Sequence, residues 1–88
     1  MKTTLTITNK LGLHARASAK LTKLVSVYPC DIWLTKGERR INAKSIMVVM
    51  MLAAGSGAVV EVETIGAQEA EAMLAITKLI EDKFGDAE

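Results

Sequence analysis

One cysteine, one proline, one histidine and three aromatic side chains are scattered through 88 residues, and each scarcity removes a class of protein. With Cys30 alone no intramolecular disulfide can form, so small secreted scaffolds held by bridges are excluded and a reducing compartment fits better. His14, the single histidine, offers no cluster with the spacing of metal ligands, and nothing else in the chain calls for a cofactor. Eleven basic against ten acidic residues leave a formal charge of +1, without the strongly basic balance of a domain built to coat nucleic acid. No uncharged apolar run reaches transmembrane length. The alternating start Met1-Lys2-Thr3-Thr4-Leu5-Thr6-Ile7-Thr8 also lacks the continuous apolar core of a signal peptide. The expected location is the cytoplasm, with no membrane insertion.

What is there suits one compact domain over residues 1–88. Half of the residues are apolar, enough for a single core at this length and too few for two. Leu5 and Ile7 alternate with threonines as a half-buried strand, stopped by the turn-rich Asn9-Lys10-Leu11-Gly12. From about Ala15 the period changes. Ala17, Leu21, Leu24, Val25 and Tyr28 then share a helical face, and Pro29 removes the donor needed to continue. Two extended runs, Cys30 to Thr35 and Glu38 to Asn42, flank Lys36-Gly37 as a hairpin. Ser45 before Ile46 to Ala54, with Gly55-Ser56-Gly57 after it, punctuates a short helix that the serine hydroxyl is expected to cap. Ala58 to Ile65 alternates as a strand, and Gly66 opens a last helix on which Met73, Ile76, Ile80 and Phe84 share a face. The order βαββαβα predicts an α+β fold: a two-layer, open-faced β-sandwich with a four-stranded, mainly antiparallel sheet and three helices on one face.

The chemistry centres on Gly12-Leu13-His14-Ala15-Arg16, where a loop becomes a helix. The first turn of a helix carries N–H groups without intrahelical partners, and its dipole favours an anion there. A phosphoryl group on the His14 ring would lie in that field. The Arg16 guanidinium is suited to add charge-assisted hydrogen bonds to its oxygens, and a neutral imidazole nitrogen is a competent nucleophile. Arg16, Lys20 and Lys23 recur at helical spacing as a basic stripe, which is either a solvated face or a guide for an acidic partner. In the short helix, once Val49 and Leu52 point inward, Met47, Met50 and Met51 have little core left to enter. Each is then either packed at the core margin or part of an adaptable docking surface that includes Ile46.

Gly12-Leu13-His14-Ala15-Arg16, with Asn42-Ala43-Lys44-Ser45-Ile46-Met47 at the second helix and the element order between them, resembles the HPr family of phosphocarrier proteins over essentially the whole chain. The resemblance implies a carrier rather than an enzyme. Its His14 would be phosphorylated on Nδ1 by enzyme I, charged from phosphoenolpyruvate, and would pass the group to enzyme II A-type domains of the phosphotransferase system. It further implies that Arg16 holds and releases the phosphate, and that Ser45 matches a serine modified in some bacteria by an ATP-dependent HPr kinase/phosphorylase. Ile46, Met47, Met50, Met51, Lys20 and Lys23 would belong to the partner surface of a monomer. Ala17 stands where the family usually has proline, a change that loosens the helix start without removing a chemical group. Two other readings compete. A regulatory relative acting through Ser45 alone would not need His14 and Arg16. A small RNA-binding module would need aromatics on central strands or a GXXG loop, and neither Tyr28, Trp33 and Phe84 nor Gly55-Ser56-Gly57 supplies them.

Overall fold

The computed structural model describes residues 1–85. Strand β1 (Lys2–Thr6) is followed by helix α1 (Ala15–Val25), strands β2 (Asp31–Lys36) and β3 (Arg39–Asn42), and helix α2 (Ile46–Met51). Strand β4 (Val59–Ile65), helix α3 (Glu69–Glu81) and a 3₁₀ turn (Lys83–Gly85) complete it. The four strands form one sheet in the order β1-β4-β2-β3, antiparallel at every pairing. Alternation decides which face is covered. Ile32, Leu34, Val60 and Val62 point to the helices and are buried, joined by Ala17, Leu21 and Val25 from α1 and by Ala72, Met73, Ile76 and Ile80 from α3.

Between β2 and β3 the chain turns on Gly37 and Glu38, with Lys36 opposite Arg39. Gly37 takes φ +62°, the sign that a type II′ turn demands at its first central position. On the uncovered face Arg40 lies 4.1 Å above the Trp33 ring and donates to Glu63 at 2.9 Å. That hydrogen bond holds the Glu63 carboxyl below the usual carboxylate range. Across the sheet, the buried Thr64 hydroxyl is satisfied by donating to the Glu69 carbonyl at 3.0 Å, which fastens the start of α3 to β4.

Several element ends differ from the expected ones, each for a tertiary reason. Tyr28 lies beyond α1 in a turn, half-buried against the core. Gly55 is not the residue that ends α2: Ala53 takes the left-handed conformation there, at φ +54°. Phe84 does not continue the α3 face. Helix α3 stops at Glu81, and Phe84, itself at φ +57°, swings its ring back into the core from the 3₁₀ turn. Burying a side chain of that size stabilises by about 1.5–3 kcal/mol, which works against the strain of two neighbouring left-handed positions, Lys83 at φ +54° and Phe84. Lys20 secures the turn by donating from Nζ to the Phe84 carbonyl at 2.6 Å.

Candidate functional site

His14 is the residue at which α1 begins: its backbone is extended, and its carbonyl accepts the first helical bond from the Ser18 N–H at 2.8 Å. The loop delivering it is held at several points. Asn9 receives the Gly12 N–H on its carbonyl at 3.1 Å and donates Nδ2 to the Gly12 carbonyl at 2.7 Å, closing the turn from both sides. Leu13 is buried, its N–H donates to the Ala54 carbonyl at 2.8 Å, and its own carbonyl accepts the Ser18 hydroxyl at 3.0 Å. The chain past the end of α2 thus forms the wall of the His14 loop.

Gly12 is the tightest point. Its φ is +63°, and a Cβ built there would stand 2.4 Å from the Ala54 carbonyl oxygen and 2.6 Å from the Gly55 Cα. Only glycine satisfies both the left-handed backbone and the close approach. The motif contains Gly12, but the need for glycine there, like the role of Ala54, is set by a contact between residues far apart in the chain, whereas Asn9 and Ser18 act on residues three and five positions away. The one local signal was the density of turn formers from Asn9 to Gly12.

The His14 ring is half-buried, with Nδ1 3.0 Å from the Gly12 carbonyl oxygen. A carbonyl can only accept, so this contact calls for the proton on Nδ1 and leaves the lone pair on Nε2. Attack from Nδ1, the nitrogen implied by the family resemblance, therefore first requires the ring to turn away from Gly12. Arg16 is exposed on the first turn of the same helix. Of the basic stripe, Lys23 is exposed, whereas Lys20 is half-buried with its ammonium directed at the Phe84 carbonyl.

On α2, Val49 and the following Leu52 are buried, while Met47, Met51, Met50 and Ile46 are exposed. The exposed four form an apolar surface on the element whose end braces the His14 loop. Ser45 precedes this helix and differs from expectation: its hydroxyl makes no capping bond. The backbone does that work instead. The Ser45 carbonyl accepts from Val49 at 3.0 Å, its N–H reaches the Asn42 carbonyl at 3.3 Å, and Asn42 Oδ1 takes the Lys44 N–H at 2.9 Å. The Ser45 side chain is left half-exposed.

Residues 1–82 match the family model described as the PTS HPr component phosphorylation site. The chain belongs to the HPr family. It is 54% identical to the phosphocarrier protein HPr of Neisseria meningitidis serogroup A over 88 residues, covering 100% of this chain and 99% of the relative. To the HPr of Cupriavidus necator it is 54% identical over 83 residues, covering 94% of this chain and 93% of that one. The crystal structure of HPr-C-His from Thermoanaerobacter tengcongensis superposes with a TM-score of 0.96 at 41% identity, covering 100% of this chain and 99% of that chain. An HPr protein is a phosphocarrier component of the phosphotransferase system, which serves sugar transport. Among the described residues no helix is long and apolar enough to cross a membrane.

Proposed function

We propose that this HPr-family chain receives a phosphoryl group on His14 from enzyme I and delivers it to enzyme II A-type domains in the cytoplasm. The observation that carries the reading is the position of His14. A half-buried imidazole sits at the N-terminus of α1, on a loop held by Gly12, Leu13 and Ala54, beside the exposed apolar face of α2. A ring nitrogen attacks phosphorus as the bond to the donor breaks. The resulting N–P bond keeps the group reactive until an acceptor attacks in turn, so the chain ends each cycle unchanged and acts as a shuttle substrate of two enzymes. The helix N-terminus and the Arg16 guanidinium oppose the charge of the bound phosphoryl group. Incubation with phosphoenolpyruvate and enzyme I should produce an acid-labile phosphate on this chain, and its absence would overturn the reading.

The α2 face gives the carrier one surface for two partners. Met47→Asp is expected to weaken binding to enzyme I and to an A-type domain alike, on the order of tenfold each, because a carboxylate then interrupts an apolar contact. Titration calorimetry measures both affinities. A thermal melt checks that the domain is intact, since an exposed position tolerates the charge and a buried one would not. Unequal losses, with one partner untouched, would assign Met47 to a single interface.

Ser45 is proposed as a second, regulatory phosphorylation site, for an HPr kinase/phosphorylase. Its half-exposed hydroxyl makes no cap bond, so modification removes no internal hydrogen bond. A phosphate placed beside Ile46 and Met47 would repel an acidic donor. Ser45→Asp should therefore melt within about 0.5 kcal/mol of wild type yet accept phosphate from enzyme I more slowly. Unchanged acceptance by the folded variant would leave Ser45 with a backbone role alone.

A further inference from the structure

Three of the five methionines lie on the six-residue helix α2, and two of them are among the more exposed apolar side chains of the molecule: Met47 at 67% and Met51 at 61%. Met50 is less open, at 39%, and Met73, on α3, is sealed in the core at 4%. Cys30, the other sulfur-bearing side chain, is buried and free. Apart from Met1 at the chain start, 51% exposed, the oxidisable sulfur that solvent can reach among the described residues is thus concentrated on one apolar face. From that helix the chain runs on through the buried Leu52 to Ala54, whose carbonyl holds the residue before His14.

We propose that Met47 and Met51 are a reversible oxidation site at which a peroxide, by converting the thioethers to sulfoxides, switches off phosphoryl transfer. The inference rests on α2 being the docking surface. In the chemical step a sulfur lone pair attacks one oxygen of hydrogen peroxide and the O–O bond breaks. A sulfur–oxygen bond forms, and the second oxygen leaves as water after proton transfer. Sulfur loses two electrons and the peroxide gains them. The product carries a polar, strongly accepting oxygen where the partner requires an apolar contact. Both side chains project into solvent, so the change costs the fold little. A methionine sulfoxide reductase pair, one enzyme for each epimer, would restore the thioether, with a dithiol supplying the two electrons, being oxidised to a disulfide, and the oxygen leaving as water.

Leucine at these positions keeps the face apolar but cannot be oxidised by peroxide. The prediction follows from that difference. The purified chain is exposed to graded hydrogen peroxide at neutral pH, oxidation is mapped by peptide mass, and enzyme I-dependent acceptance is measured at limiting enzyme I. Oxygen should appear first at Met47, Met51 and the exposed Met1, and not at Met73. Acceptance should fall on the order of tenfold while the melt is preserved, and the two reductases should restore it. Each protein is scored as the ratio of its own acceptance after and before peroxide. Met1→Leu should keep the wild-type ratio, whereas the doubly substituted Met47→Leu, Met51→Leu protein should hold a ratio near one whatever its starting rate. Sulfoxide at both positions with unchanged acceptance would overturn the proposal, as would loss of acceptance that tracks oxidation of Met73 and a collapsing melt. Unoxidised Met47→Asp separates the two layers of the argument. Normal acceptance by that variant removes Met47 from the enzyme I surface and this proposal with it, whereas an impaired variant beside an active sulfoxide form removes the oxidation site alone.

Discussion

His14→Ala is expected to abolish phosphate acceptance altogether while the domain stays folded. The ring makes one hydrogen bond, from Nδ1 to the Gly12 carbonyl at 3.0 Å, and supplies no cap to α1. Its removal costs about 1 kcal/mol, and less where water can replace the donor at Gly12. The two effects are therefore separable in one experiment. Labelled phosphoenolpyruvate with enzyme I should leave the variant unlabelled, and its thermal melt should lie within a few degrees of wild type, since each kcal/mol moves the midpoint of so small a domain by about 4–8 °C. Label retained by the variant would refute the carrier assignment at His14. A collapsed melt would mean that the ring braces the loop rather than merely standing on it.

Gly12→Ala should be the most damaging substitution outside the histidine itself, and it should act on stability and transfer together. The new methyl would meet backbone rather than a yielding side-chain tip, at 2.4 Å from the Ala54 oxygen and 2.6 Å from the Gly55 Cα. Neither group can withdraw cheaply, because the Ala54 carbonyl is already engaged by the Leu13 N–H. Overpacking costs roughly 1–3 kcal/mol and an L-residue in the left-handed region adds about 1–2 kcal/mol, so the loss is roughly 2–5 kcal/mol. Part of that strain is relieved by lifting the loop, which carries His14 away from its place at the helix start. A displacement of about 1 Å can cost on the order of a hundredfold in rate. Melting and single-turnover acceptance measured on the same preparation test both halves. Gly37→Ala is the matching control: it has the same sign of φ and no atom within 4 Å, so it should melt lower through turn strain alone and transfer normally.

Elements legible in the sequence were those whose cause is local. Alternation along Val60, Val62 and Thr64 follows from the two-residue period of a strand with one buried face, and that of Leu5 and Ile7 carries one residue past the end of β1 at Thr6. The repeat of Ala17, Leu21 and Val25 follows from the helical period, and Gly37 from the backbone sign of a two-residue hairpin. Where a boundary depended on something across the molecule, local reasoning missed it. Phe84 fits the α3 period, yet a turn delivers it from beyond the helix because the core has room for its ring there. Ser45 sits where a capping hydroxyl is favoured, yet Asn42 and the backbone organise that corner.

The candidate site divides in the same way. His14, Arg16 and the helix start they occupy are neighbours in sequence, so the proposed nucleophile, a fitting cation and the helix dipole could be read from a single motif. Which surface surrounds them could not be. Spacing makes Arg16, Lys20 and Lys23 a uniform stripe, but packing turns Lys20 toward the Phe84 carbonyl and leaves Lys23 in solvent. Spacing leaves Met47, Met50 and Met51 free to be core or surface, and only the burial of Val49 and Leu52 resolved the choice. The need for glycine at position 12 belongs wholly to the tertiary structure. Periodicity and motif are properties of adjacent residues and act through backbone geometry, whereas the distance from Gly12 to Ala54 exists only after the sheet and helices have packed.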